Sequence, residues 1–437
     1  MESQAARRPA GRSPFASLKN SQFRWLYISN LAFFFAMMGQ FVTRSWLAFE
    51  ITDSAFALGM VNFAVAVPML LVAPFGGVIA DRVERRNLIV AGQVILLANE
   101  AAVLVLLIAG VLAFWHLLAV SFVMGCVFPF IMPARQAIVV NIVGKQGLVN
   151  AMALQMGAMN AARVVAPALA GFLIWAVGIN WTYVVAIAFY LVALSTMSRV
   201  DRFWPEKVAL PKSMFADIAD GVRYVKGEAA VRTLLLFGLV PILLAMPFQS
   251  LLAVFAEDVW DVGSLGLGIL NAAAGLGGLI GSGYVAIFGD TDRKLRLMML
   301  SVLLFGSSLF LFAVSPLFVI GILFVLLADV FVGIFQTLNN TIIQVIIPDH
   351  VRGRVMSLLM MSFGLTPLGT VPIAALAEVM GAPFAVACAS ATLIVAAILF
   401  YLLSPSLRGI DATSREALEA EDGERLARPF PIAAAGG

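Results

Sequence analysis

Four ionisable side chains, Arg44, Glu100, Arg163 and Asp329, stand inside long apolar stretches of this 437-residue chain. At mid-bilayer each is costly unless paired or hydrated, so the default reading is functional. A carboxylate there can hold a proton when buried and release it when hydrated, because a low dielectric disfavours the charged form. That chemistry suits Asp329, near the middle of its stretch and beyond snorkelling reach; its structural alternative is a fixed pair with an arginine. Glu100 either faces a neighbouring helix, paired or protonated, or carries a proton itself. Arg44 has Gln40 one helical turn away; it either lines a wet cavity with it or snorkels to the outer interface. Arg163 precedes Pro167 by one turn. It either neutralises a carboxylate, binds an anionic substrate, or satisfies carbonyls that the proline frees. Asn160, Gln249, Asn271, Asn339 and Asn340 are uncharged candidates for the same substrate and proton pathway, or interhelical glue.

The elements that must position these groups are membrane helices. The chain is 62% apolar with a mean hydropathy of +0.99, an excess that needs lipid. A helix crosses the hydrocarbon core in roughly 20 residues. Twelve spans fit: 23–49, 57–80, 87–112, 115–142, 150–176, 179–198, 232–255, 264–288, 296–315, 317–346, 355–380 and 382–404. Continuous apolar runs of this length exclude barrel strands. The expected class is all-α integral membrane, with six-helix halves at 23–198 and 232–404. A tail at 1–22, a linker at 199–231 and a tail at 405–437 flank them. Within the linker, Ile218, Val222 and Val225 recur at helical spacing among charges, which predicts an amphipathic helix on the membrane surface. The halves read as a degenerate repeat, and paired halves imply alternating access around a site between them.

Charge sets the orientation. Nearly all of the 28 Lys and Arg fall in turns on one side, whereas the alternate turns carry Glu50, Asp53, Glu257, Asp258, Asp261 and Glu378. Lys and Arg resist translocation, so the basic side, with both termini, is read as cytoplasmic. The net charge of +3 is dispersed over these turns and is no nucleic-acid footprint. Cys126 and Cys388 fall in apolar spans, and His116 and His350 have no partner at metal spacing. No cofactor or metal is expected.

Between spans two and three runs Gly76-Gly77-Val-Ile-Ala-Asp81-Arg82-Val-Glu84-Arg85-Arg86. It resembles the G-x-x-x-D-R-x-G-R-R signature of the major facilitator superfamily and departs from it at Glu84, where the signature has Gly. Glycine lets helices approach, and Asp81 can accept from arginines at a helix N-terminus in one state only, so Gly77, Asp81, Arg82, Arg85 and Arg86 read as a conformational gate. Ala166-Pro167-Ala-Leu-Ala170-Gly171 resembles the antiporter signature G-P-x-x-G-G. With Pro133-Ala-Arg135-Gln136, Asn150-Ala151 and Val351-Arg352-Gly353-Arg354, the chain looks like the enterobactin-exporter and macrolide-efflux branch.

The resemblance implies twelve helices and proton-coupled export of an amphiphilic drug or siderophore, by a monomer in a prokaryotic inner membrane. The rivals are an importer or lysolipid flippase on the same fold and, from another class, a membrane enzyme. The chain has no H-E-x-x-H, no serine elbow and no G-x-x-x-x-G-K-[ST] loop, which argues against the enzyme and an ATP-driven pump.

Overall fold

The computed structural model describes residues 15–80, 82–204, 214–289 and 293–416. Every regular element among them is a helix. Six long helices come first: α1 (Ser21–Thr52), α2 (Ala55–Ala80), α3 (Arg85–Ile108), α4 (Phe114–Gly144), α5 (Gly147–Val177) and α6 (Ile179–Met197). A short helix, α7 (Met214–Gly227), follows. Then come α8 (Ala229–Val259), α9 (Gly263–Phe288), α10 (Lys294–Ala313) and α11 (Phe318–Ile346). The last are α12 (Asp349–Phe363), α13 (Pro367–Met380) and α14 (Ala382–Leu403).

Eleven helices are long and apolar enough to cross a membrane among the described residues. The stretch expected as one span at 355–380 is instead two helices, α12 and α13. Pro367 explains the break: it has no N–H to donate, and its ring crowds the carbonyl four residues back. Large apolar side chains such as Ile108, Val319 and Leu403 are more than two-thirds exposed on the protein's own surface. In water such patches would aggregate; hydrocarbon accepts them.

The chain forms two compact units. One takes the described residues of Met1–Asp53, Ala64–Ala209 and Gly263–Ala272; the other takes those of Ser54–Phe63, Leu210–Val262 and Ala273–Gly437. In the first, Phe23, Phe33, Ile89, Ile131, Ile138 and Tyr190 form a buried core around α1. Gly76 of α2 faces Pro129 of α4 so closely that a Cβ would lie 2.1 Å from the Pro129 carbonyl oxygen. In the second unit Phe248, Phe255, Trp260 and Phe312 stack together, and Trp260 Nε1 donates to the Ser315 carbonyl (3.2 Å).

Two joints of the second unit were not foreseen. Glu378 of α13 caps the start of α2: its carboxylate accepts from Ser54 Oγ (2.9 Å) and from the Phe56 N–H (3.0 Å). An anion at a helix N-terminus is favourable because unpaired N–H groups converge there. The helix α7 forms where the linker pattern predicts one, but it packs on α12 rather than lying apart. Gly221 lies against Arg354, and Arg354 Nη1 stands 3.9 Å from Asp220 Oδ2.

Candidate functional site

The turn after α2 is held by a residue that breaks the signature. Glu84 has φ −62° and ψ 119°, an ordinary extended conformation that needs no glycine. Its carboxylate caps α3, accepting from the Arg86 N–H (2.9 Å) and the Asn87 N–H (2.8 Å), and also takes the Phe203 N–H (3.0 Å). Asp81 lies outside the described residues, and Gly77 is placed within α2. Arg85 Nη1 donates to Asn141 Oδ1 of α4 (2.6 Å). Arg86 Nη2 donates to the Ser198 carbonyl at the end of α6 (2.6 Å), where a cation meets the helix's negative end. Arg82 is exposed. Glu84→Gly restores the signature yet removes three hydrogen bonds. We expect the loss of those hydrogen bonds to destabilise the protein by about 1–3 kcal/mol, read as a lower thermal midpoint in lipid nanodiscs. A midpoint equal to wild type would refute the cap.

Within the first unit, Arg44 and Glu100 form a buried ion pair through Arg44 Nη2 and Glu100 Oε1, with Arg44 4% and Glu100 0% exposed. Snorkelling of Arg44 is thus replaced by a partner on α3. Arg44 Nη1 also reaches the Met124 sulfur (3.0 Å). The phenols of Tyr183 and Tyr190, both fully buried, stand near the two charges. Gln40 is buried too, and its Oε1 faces no donor; it lines a small crevice with Thr43, Ala166 and Phe189.

A fifth intramembrane charge belongs with the four expected. Arg135 of α4 is 2% exposed, bonded through Nη1 to Asn30 Oδ1, with its guanidinium carbon 4.2 Å from the Phe33 ring centroid. Phe33 in turn meets the edge of Tyr190. The signal was present in the sequence, since Arg135 lies well inside the span 115–142. Among the described residues this core thus holds two cations, Arg44 and Arg135, and one anion, Glu100.

In the second unit Asp329 is fully buried on α11. It faces α9 at Gly277, where a Cβ would come within 2.9 Å of the Asp329 Cβ. Asn339 is buried and Asn340 half-buried, near the end of the same helix. Asn62 Nδ2 donates to Ser250 Oγ (3.0 Å), a contact that sequence reading missed. The other candidates are dispersed. Arg163 is exposed on α5, Asn160 and Gln249 are half-buried, and Asn271 Nδ2 donates back to the Leu267 carbonyl of its own helix (3.0 Å). Several residues quoted for the resemblance turn out to tie segments together. Asn150 Oδ1 accepts from the Ser17 N–H (2.9 Å), and Arg354 anchors α7.

The model of the transmembrane secretion effector family matches residues 12–430. The chain belongs to that family of major facilitator transporters. Its curated relatives span nearly the same length. The multidrug efflux pump Tap of Mycolicibacterium fortuitum is 28% identical over 86% of this chain and 93% of its own. The staphyloferrin A transporter of Staphylococcus aureus is 24% identical, covering 87% and 95%. The macrolide efflux protein A of Streptococcus pyogenes is 22% identical, covering 76% and 83%. A mutant of the nucleoside transporter NupG shares the fold with a TM-score of 0.71 at 12% identity, covering 87% of this chain and all of that one. The chain is therefore a multi-pass membrane transporter of the major facilitator fold. The enterobactin-exporter and macrolide-efflux likeness fits these relatives.

Proposed function

We propose that this family member exports an amphiphilic small molecule from the cytoplasm of a prokaryote, in exchange for protons, by alternating access between its two halves. The observation that carries the reading is Asp329: a carboxylate fully buried at mid-helix, packed against the glycine of a second membrane helix. A change in the hydration of this site between two states lets the carboxylate take up a proton in one and release it in the other. A proton taken up on one side can then leave on the other. The efflux pumps among the relatives support the direction. The basic side of the chain, with both termini, is the cytoplasmic side, and the turn from Arg82 to Arg86 is the gate there. The protein needs twelve crossings for this topology, with α12 and α13 together making the eleventh, and it works as a monomer.

The Arg44–Glu100 pair has a different part. A matched pair inside the first unit stays neutral overall and staples α1 to α3.

Inside-out vesicles, whose lumen respiration acidifies, test the reading. The expected result is accumulation of at least one compound from a panel of fluorescent amphiphiles, antibiotics and siderophores, abolished by a protonophore. Accumulation only in right-side-out vesicles would make the protein an importer. Movement of lysolipid alone would make it a flippase.

A further inference from the structure

The residues of α5 sort by chemistry onto different faces. Ala158, Ala162, Ala166 and Ala170, at successive four-residue steps, are buried in the first unit. Val165 and Phe172, seven residues apart, share a second face and are exposed. That face is apolar and suits hydrocarbon. Met156, Asn160, Arg163, Pro167 and Gly171 recur at steps of three and four, so they share a third. Its two halves differ. Pro167 and Gly171 are buried against the start of α9. A Cβ on Gly171 would lie 2.5 Å from the Ser264 carbonyl oxygen, and one on Gly268 would lie 3.0 Å from the Pro167 carbonyl oxygen. Toward Gly147 the same face is open. Met156 is 49% exposed, Arg163 is exposed and Asn160 is half-buried. Beside Met156, a Cβ on Gly157 would meet nothing within 4 Å.

Arg163 decides what the open half faces. The helix runs from Gly147 to Val177, so Arg163 stands at its middle. The nearer end is roughly 21 Å away along the axis, at ~1.5 Å per residue, which is beyond the reach of snorkelling. An arginine turned to lipid at that depth is costly, and such residues face water or protein instead. Water therefore meets this face, and the contact of α5 with α9 closes it one turn beyond Arg163. The first unit thus carries a wet groove along α5, open toward Gly147 and blind at Pro167.

The chemistry of the groove selects a ligand. Arg163 supplies a guanidinium, which meets a planar carboxylate side-on through paired N–H groups. Asn160, one turn nearer the open end, adds a carboxamide that both donates and accepts. Met156, a further turn along, is apolar, and its three rotatable bonds let it fit bodies of different shape. A cation at the blind end, then an amide, then a soft apolar surface is the order that an amphiphile entering acid-first requires.

We infer that the open face of α5 binds a carboxylate-bearing amphiphile, its acid on Arg163 and its apolar body along Met156. The inference rests on the transport reading above and names its substrate class.

Two measurements in lipid nanodiscs test this without any gradient, so their outcome is independent of transport direction and proton coupling. The first is access. In a chain carrying Cys126→Ser and Cys388→Ser, a charged, membrane-impermeant methanethiosulfonate should label Met156→Cys and Arg163→Cys and spare Val165→Cys. The second is equilibrium binding, corrected for empty discs. The probes are pyrenebutyrate, cholate and dansyl-phenylalanine, each beside its uncharged amide. Wild type should bind the acid of at least one pair about tenfold more tightly than the amide, the scale of one charge-assisted hydrogen bond. Arg163→Gln should erase that preference and leave amide binding unchanged. Arg163→Lys, which keeps the charge, should retain part of it. The inference fails if Arg163→Cys is as unreactive as Val165→Cys, if no pair shows a preference in wild type, or if Arg163→Gln keeps it. A preference for the acid without accumulation in inside-out vesicles would uphold this site and overturn the export reading instead.

Discussion

Glu100→Gln should be the most damaging single substitution in the first unit. Removing one partner of a buried ion pair leaves an uncompensated charge, which costs about 3–5 kcal/mol, and the orphan here is Arg44, 4% exposed between α3 and α4. A guanidinium does not shed its proton at accessible pH, so the stranded charge persists. Arg135 lies in the same core, bonded to Asn30, and adds a second cation. Arg44→Gln should be milder, because a stranded carboxylate can neutralise itself by taking a proton. The double variant Arg44→Met/Glu100→Leu should recover most of the lost stability and retain transport, as expected of a staple outside the proton path. Thermal and detergent unfolding of the four proteins in nanodiscs decide the matter. Equal losses for the two single variants would refute the asymmetry, and a folded double variant without transport would move the pair into the pathway.

Asp329→Asn should abolish proton-driven accumulation outright while leaving the protein folded. The amide is nearly isosteric with the neutral acid, so the contact with Gly277 survives and the thermal midpoint should change little. A group that cannot charge cannot release a proton, and net exchange stops. Substrate-for-substrate exchange across the membrane, which needs no net proton movement, should continue. Inside-out vesicles read both: gradient-driven uptake lost, counterflow kept. Uptake that persists in Asp329→Asn would remove this residue as the carrier and return attention to Glu100. Loss of both activities with normal stability would place Asp329 in substrate binding instead.

These two acids show what a one-dimensional reading can and cannot reach. Their depth in apolar runs singled out both Glu100 and Asp329, because a charge among twenty apolar residues is costly wherever the helix ends up. The partner was out of reach. Glu100 and Arg44 are 56 positions apart, and nothing along the chain relates the rotation of α3 to that of α1. In a soluble bundle an apolar stripe would reveal the inward face. Here lipid and core are equally apolar, so the stripe vanishes and periodicity no longer points inward. In the sequence Arg135 stands out only as part of a motif that carries the resemblance, although the span 115–142 already contains it.

What the sequence by itself determined is whatever depends on composition and order. Lipid is the solvent, helices are the elements, the basic turns set a bias between the two sides, and the glycine, acid and arginine spacing after α2 carries the family. Each follows from a local cost, of an unsatisfied backbone in hydrocarbon or of a translocated cation, that is independent of the neighbours. Only the tertiary structure decided who meets whom. It made Glu84 a cap where a glycine was expected, and set Glu378 on the first turn of α2. It broke the stretch at Pro367 and docked α7 on Arg354. Those outcomes depend on the rotation and closest approach of separate helices, which side-chain packing sets in three dimensions and no spacing along the chain records.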